Sequence, residues 1–154
     1  MCMCVYIYID IYYIIYLSIL TTYEETERCK VKHCVQVYMA NNIMAIYGEV
    51  PELVEKKSNE IVESYLNEKK DDFNYVKYNL YDTSFNQIIE EALTMPFISE
   101  KKAIVVKNAF IFTGEKVSKD IQPNNEQVNE FLEKYDGENL IIFEVYQPKL
   151  DERK

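Results

Sequence analysis

The chain has 154 residues and carries 17 basic against 26 acidic side chains, so its net charge of −9 repels a bare phosphate backbone. One histidine, three glycines and no tryptophan argue against a histidine-rich metal centre, a glycine-rich phosphate cradle and an aromatic base-stacking platform. The length suits one domain of about 100–150 residues.

Residues 1–38 differ in composition from the rest of the chain. They open with an apolar run of about the length that spans a bilayer as a helix. Asp10 lies in the middle of this run and no Lys or Arg precedes it, which fits a membrane anchor poorly. We interpret this segment as a non-domain leader, translated from a start upstream of the true one at Met39 or Met44, with a single domain at 39–154. A membrane-anchor-like segment is the alternative.

All four cysteines and the histidine fall in the same segment. Cys2 and Cys4 are separated by one residue, Cys29 and Cys34 by four, and His33 precedes the last of them. These spacings differ from the C-x2-C knuckles of zinc sites, so we expect no metal site.

The domain begins with a short apolar run that predicts a buried strand at residues 43–47. Pro51 suits the first turn of a helix, which we expect to close at residues 69–70. Alternating apolar residues then predict a second strand at 75–80.

The next helix has clear signals at both ends. Ser84 and Gln87 have the spacing of a capping box, and Pro96 predicts that the helix stops near Thr94. A third strand, at 103–106, follows.

A polar insert then leads to the last helix and strand. Asn124 is the predicted cap of a third helix, which we expect Gly137 to end, before a fourth strand at 140–145. Strands alternating with helices predict an α/β fold with a mostly parallel sheet and flanking helices.

The turn after the first predicted strand is where such a fold would bind a nucleotide phosphate. It contains Gly48, Glu49, Val50 and Pro51, whereas a phosphate-binding loop needs several glycines, a lysine and a hydroxyl. The sequence therefore predicts a degenerate, non-binding nucleotide loop and no cofactor. It also contains no G-x-S-x-G elbow, and we expect no catalytic site in the chain.

Large apolar side chains cluster just after the second predicted helix. Met95, Phe97 and Ile98 flank or follow Pro96 and precede a charged stretch. One hypothesis is that they fold back into the core under the sheet. The other is an apolar wedge, stiffened by proline, that inserts into a partner protein.

Four sequence segments, taken in their order along the chain, resemble a known family. They are residues 46–51, 93–102, 104–109 and 150–154, and together they resemble the delta subunit of the bacterial DNA polymerase III clamp loader. The resemblance implies an AAA+-like, P-loop NTPase-like domain with a degenerate nucleotide site. It also implies that the chain stops before the lid and collar domains of that family.

The resemblance implies a function as well. Its clamp-binding wedge would comprise Met95, Pro96, Phe97 and Ile98, with Pro96 standing where some members have leucine. The implied protein is a non-catalytic, cytoplasmic subunit that binds and helps to open the sliding clamp, within an assembly that has DNA-directed DNA polymerase activity. Other loader subunits would join through domains missing here, DNA would be reached only through the assembly, and no membrane is expected.

Two other function classes compete with this interpretation. A membrane-anchored α/β adaptor for protein interactions is the main alternative, if the first residues insert into a bilayer. A small ATPase or kinase conflicts with the missing lysine and hydroxyl of the nucleotide loop. It also conflicts with the end of the strand at 103–106, where Lys107 and Asn108 follow instead of a metal-binding acid.

Overall fold

A computed structural model describes residues 35–67, 69–96 and 99–150. The predicted leader lies outside this range, apart from its last four residues. The prediction of no zinc site at its cysteines and the membrane-anchor alternative both concern residues outside the described ones. Phe97 and Ile98 are also outside the described residues.

The described chain forms a five-stranded sheet flanked by helices. The strands are β1 (Gln36–Ala40), β2 (Ile43–Tyr47), β3 (Tyr75–Asn79), β4 (Ala103–Lys107) and β5 (Leu140–Val145). The helices are α1 (Pro51–Leu66), α2 (Phe85–Leu93) and α3 (Asn125–Lys134), with a 3₁₀ turn at Phe110–Phe112. All four predicted strands and all three predicted helices are therefore present.

The spatial order of the strands is β1-β2-β5-β4-β3. β2, β5, β4 and β3 are parallel, and β1 pairs antiparallel with β2. The predicted mostly parallel α/β sheet with flanking helices is confirmed. β5, the last strand in sequence, lies between β2 and β4 and is buried along its whole length.

Two apolar layers cover the faces of the sheet, as expected for parallel strands. On one face, Val54, Val62 and Leu66 of α1 pack on β2, β4 and β5. On the other face, residues of α2 and α3, including Ile88 and Phe131, pack on the opposite side chains of β4 and β5.

β1 is an element that the sequence reasoning missed. It forms a hairpin with β2 through Asn41 and Asn42, and Asn41 has a φ of 53°, which asparagine tolerates well. The strand crosses the boundary predicted at Met39, because its residues Gln36, Val37 and Tyr38 come before it.

Two predicted helix ends are wrong. α1 ends at Leu66 rather than at 69–70, because Asn67 takes a left-handed φ of 55° and donates its backbone N–H to Glu63. α3 ends at Lys134 rather than near Gly137, because the backbone of Tyr135 is already extended and its ring is buried.

Candidate functional site

The chain leaves α2 through an apolar segment, which we call the exit turn (residues 93–98, of which 97 and 98 lie outside the described residues). The capping box predicted at Ser84 and Gln87 is confirmed at the start of α2. At its end, Thr94 has φ −78° and ψ 121°, so the backbone leaves the helix in an extended direction. Among the described large apolar side chains, Met95 and Leu93 are the most exposed, at 78% and 64%.

This exposure argues against a core position for one predicted site residue. Met95 lies outside the core, and Pro96 beside it is half-buried. Leu93, the last residue of α2, also lies outside the core. The exit turn also lies beside a shallow groove of about 300 Å³ between α2 and α3, lined by Ile89, Leu93, Phe131 and Tyr135 among others.

A buried amide holds the backbone at the start of the exit turn. Asn139, which is 4% exposed, donates its side-chain N–H groups to the carbonyls of Ala92 (2.8 Å) and Thr94 (2.9 Å). The hydroxyl of Tyr135 donates to the backbone carbonyl of Asn139 at 2.9 Å. Sequence reasoning missed Asn139, because its position opposite α2 depends on the tertiary fold.

An ion pair fastens the last turn of α2 to the sheet. The Glu91 carboxylate accepts hydrogen bonds from Lys102 and, at 2.9 Å, from the hydroxyl of Tyr78. Burial alone would raise the pKa of Glu91, but these two bonds and the Lys102 charge outweigh it and lower the pKa. Burial and the bond to Glu91 raise the pKa of Tyr78 to about 12. Glu91 is therefore ionised at neutral pH.

The returning chain is also held. Lys101 donates to the backbone carbonyl of Tyr65 at 3.1 Å and lies 5.1 Å from the centre of its ring. This contact ties the segment before β4 to the end of α1, where carbonyls lack helical partners. The exit turn is thus anchored on both sides, and its apolar side chains Leu93 and Met95 are left exposed.

The predicted nucleotide loop lies at the opposite edge of the sheet. The Gly48 amide donates to the Val145 carbonyl of β5 at 3.2 Å, and Pro51, confirmed in the first turn of α1, has no amide hydrogen. Val50 is the N-cap residue and its side chain makes no capping bond.

A group of charged and hydroxyl side chains lies beside this loop, where the parallel strands end. We call it the carboxyl-edge cluster: Glu55, Lys77, Lys107, Glu144 and Tyr146. Lys107, the last residue of β4, donates to Glu55 of α1 at 2.5 Å. This mutual bond is the main cause that lowers the pKa of Glu55 and raises that of Lys107.

Glu144 is the buried member of the cluster, with 0% exposure. One of its oxygens accepts the Tyr146 hydroxyl at 2.8 Å, and its Oε1 has no hydrogen-bond partner in the described structure. The same hydroxyl lies 3.3 Å from Glu55, but it has a single proton to donate. Burial, followed by the nearby carboxylates, raises the pKa of Tyr146.

Ligands of open parallel α/β sheets bind at this carboxyl edge. Here two lysines and two carboxylates of the chain itself fill the position, and burial lowers the pKa of Lys77. Within residues 35–67, 69–96 and 99–150, no three His, Cys, Asp or Glu side chains gather in a way that could hold a metal ion. No helix in those ranges is long and apolar enough to cross a membrane.

These features define an α/β domain whose mostly parallel sheet is covered on both faces. The most exposed of its described large apolar side chains lie at the end of a helix. The chain belongs to the DNA polymerase III delta subunit family, because the family model described as "DNA polymerase III, delta subunit" matches residues 44–154. The resemblance inferred from the sequence is confirmed.

Two relatives support the assignment. The DNA polymerase III subunit delta of Bacillus subtilis (strain 168) is 27% identical over 112 residues, which cover 73% of this chain and 32% of that protein. The chain thus spans about a third of the length of this relative. The solved structure of the Bacillus subtilis DNA clamp loader delta protein matches with a TM-score of 0.64 over 88% of this chain and 38% of that one. At 21% identity, this match concerns the fold.

Proposed function

We propose that this chain is the sliding-clamp-binding domain of a clamp-loader delta subunit and that the exit turn is its clamp contact. The observation that carries the proposal is the 78% exposure of Met95 on a turn whose two ends are fastened. An apolar side chain on a rigid turn binds a partner's pocket at low ordering cost. Met95, Pro96, Phe97 and Ile98 are the proposed contact residues.

The proposal extends to the domain type. The strand order β2-β5-β4-β3 with a loop from β2 into α1 supports an AAA+-like domain whose nucleotide site is degenerate. Gly48 and Pro51 supply no free amide to a phosphate, and Glu49 and Glu52 add negative charge beside them. The domain would then need no cofactor, and the nucleotidyltransferase activity would belong to the whole polymerase assembly.

The partners follow from the same proposal. The sliding clamp would bind this domain, and other loader subunits would bind through parts of the delta subunit beyond it. DNA would be contacted only through the assembly, which agrees with the net charge of −9. The proposed location is the cytoplasm.

Surface plasmon resonance with an immobilised bacterial sliding clamp tests the proposal. We expect saturable binding of the chain and a loss of about fivefold, or about 1 kcal/mol, for Met95→Ala. Phe73→Ala is the matched control, since Phe73 is 56% exposed and lies in the turn before β3. Absence of clamp binding by the unmodified chain would contradict the proposal.

Isothermal titration tests the degenerate site separately. ATP with Mg²⁺ should give no heat of binding, because a triphosphate meets acidic side chains where it needs amides and a cation. Saturable ATP binding would contradict the assignment of residues 48–51 as a non-binding loop, and would leave the clamp contact unaffected.

A further inference from the structure

We propose that Asn139 is a positioning residue for the clamp contact, an inference that rests on the proposed function. Its buried side chain fixes the direction in which the chain leaves α2 and so sets the placement of the exit turn. Asn139 touches no partner itself in this scheme, and it acts through the backbone of Ala92 and Thr94.

The geometry uses both hydrogens of the Asn139 amide. One is donated to Ala92, in the last turn of α2, and the other to Thr94, the residue that caps it. The last carbonyls of a helix lack partners within the helix, so their bonds come from elsewhere. Because the two acceptors lie on either side of the point where the backbone becomes extended, one rigid amide group holds both arms of the bend.

Asn139 is itself held in place. The Tyr135 hydroxyl donates to its backbone carbonyl at 2.9 Å and lies 3.3 Å from the Ala92 carbonyl. A side chain at Gly137 would meet this tyrosine, because a Cβ placed there lies 2.5 Å from the hydroxyl oxygen. Asn139 directly precedes β5, the strand between β2 and β4, so the exit turn is tied to the middle of the sheet.

The expected benefit is entropic. Each backbone residue that must be ordered on binding weakens the complex, so a turn that is already ordered binds more tightly. Removing the Asn139 amide frees the start of the turn while leaving Met95, Pro96, Phe97 and Ile98 unchanged in chemistry.

Clamp binding by Asn139→Ala tests the inference. We expect about a tenfold loss of affinity, against no loss for the control Gln127→Ala. Gln127 also joins the two helices, through a 2.6 Å bond to Asn86, but at the other end of α2. Tyr135→Phe, which keeps the ring and removes only the hydroxyl, should lose about threefold and serves if Asn139→Ala does not fold.

A double-mutant cycle separates positioning from general destabilisation. If Asn139 acts through the exit turn, Asn139→Ala should cost little further affinity in a chain that already carries Phe97→Ala. If the affinity losses of the two single variants multiply in the double variant, the inference is overturned. It is also overturned if Asn139→Ala and Tyr135→Phe both bind with wild-type affinity while Phe97→Ala binds weakly. Failure of the unmodified chain to bind the clamp would instead overturn the proposed function.

Discussion

The exit turn and the carboxyl-edge cluster lie at opposite edges of the sheet. The cluster pairs its charged groups with one another, whereas the exit turn leaves an apolar side chain in solvent. At the carboxyl edge, Lys107 and Glu55 satisfy each other, and the Gly48 amide is bonded to β5. At the exit turn, the backbone is bonded and Met95 is left outside. The edge where parallel sheets bind ligands is thus occupied by the chain itself, and the apolar surface is presented elsewhere.

The largest expected effect belongs to the exit turn. Phe97→Ala should weaken clamp binding about thirtyfold, or about 2 kcal/mol, because an aromatic anchor at the centre of an interface dominates its affinity. Surface plasmon resonance measures this loss, and Phe73→Ala controls for the removal of a phenyl ring elsewhere on the domain. Unchanged affinity with a loss of about 3–5 kcal/mol in unfolding free energy would make Phe97 a core residue.

The charged fastening of α2 should show a pH dependence. The pKa of Glu91 is lowered in the folded chain, so its stabilisation is present above the unfolded pKa and is lost as pH falls through the folded pKa. Glu91→Gln should therefore cost about 1–2 kcal/mol of unfolding free energy at pH 7 and progressively less in acid.

Denaturant unfolding across pH measures this difference. Glu90→Gln, a change of the same type at the exposed neighbouring residue, is the control for removing a carboxylate charge from α2. A constant difference between Glu91→Gln and wild type across the acid range would show that the ion pair with Lys102 contributes nothing.

Removal of β1 perturbs neither of the two regions directly. The sequence predicts a non-domain leader at residues 1–38, but a chain that begins at Met39 lacks three residues of β1, including the half-buried Val37. We expect a melting temperature about 4 °C lower for that chain than after deletion of residues 1–35. Clamp binding should be equal in both. Equal melting temperatures would show that β1 adds no stability.

The smallest expected effect concerns the carboxyl-edge cluster. Glu55→Gln should lower the melting temperature by about 1–3 °C, because the pair with Lys107 is partly exposed and screened by solvent. The substitution leaves Glu144 as the one carboxylate of the cluster that faces Lys77 and Lys107. Inorganic pyrophosphate should then raise the melting temperature of this variant in a saturable way, and leave wild type unchanged.

Glu52→Gln is the control for this experiment, since Glu52 lies in the first turn of α1, three residues before Glu55, and is exposed. It should respond to pyrophosphate like wild type. Stabilisation of wild type by pyrophosphate would break the comparison, because the carboxyl edge would then be an open anion site.

Much of the fold is predictable because its signals are local. Pro51, the Ser84–Gln87 capping box and the Asn124 cap each act within one turn, and each is in place. The strands are found from short apolar runs. The strand order is not, because the pairing of β2 with β5 joins residues far apart in sequence.

The candidate site is predictable in part for the same reason. The sequence indicates an apolar turn after α2, and Met95 is exposed there. Asn139 carries no local signal, because asparagine is common in turns and loops whether or not its side chain holds a neighbouring helix. β1 was missed because the unusual composition of residues 1–38 led us to assign them to a leader. The strand pairs with β2 through the two-residue turn Asn41–Asn42.

The central position of β5 has a consequence for how the chain folds. Among the strands of the described residues, the β1–β2 hairpin and the pair β3–β4 share no hydrogen-bonded edge, and β5 joins them, with Ile141 opposite both Ile43 and Ile104. During synthesis, strands β1 to β4 are therefore made before the strand that joins them. The described sheet is completed when β5 pairs with β2 and β4, and such long-range pairing is intrinsically slow.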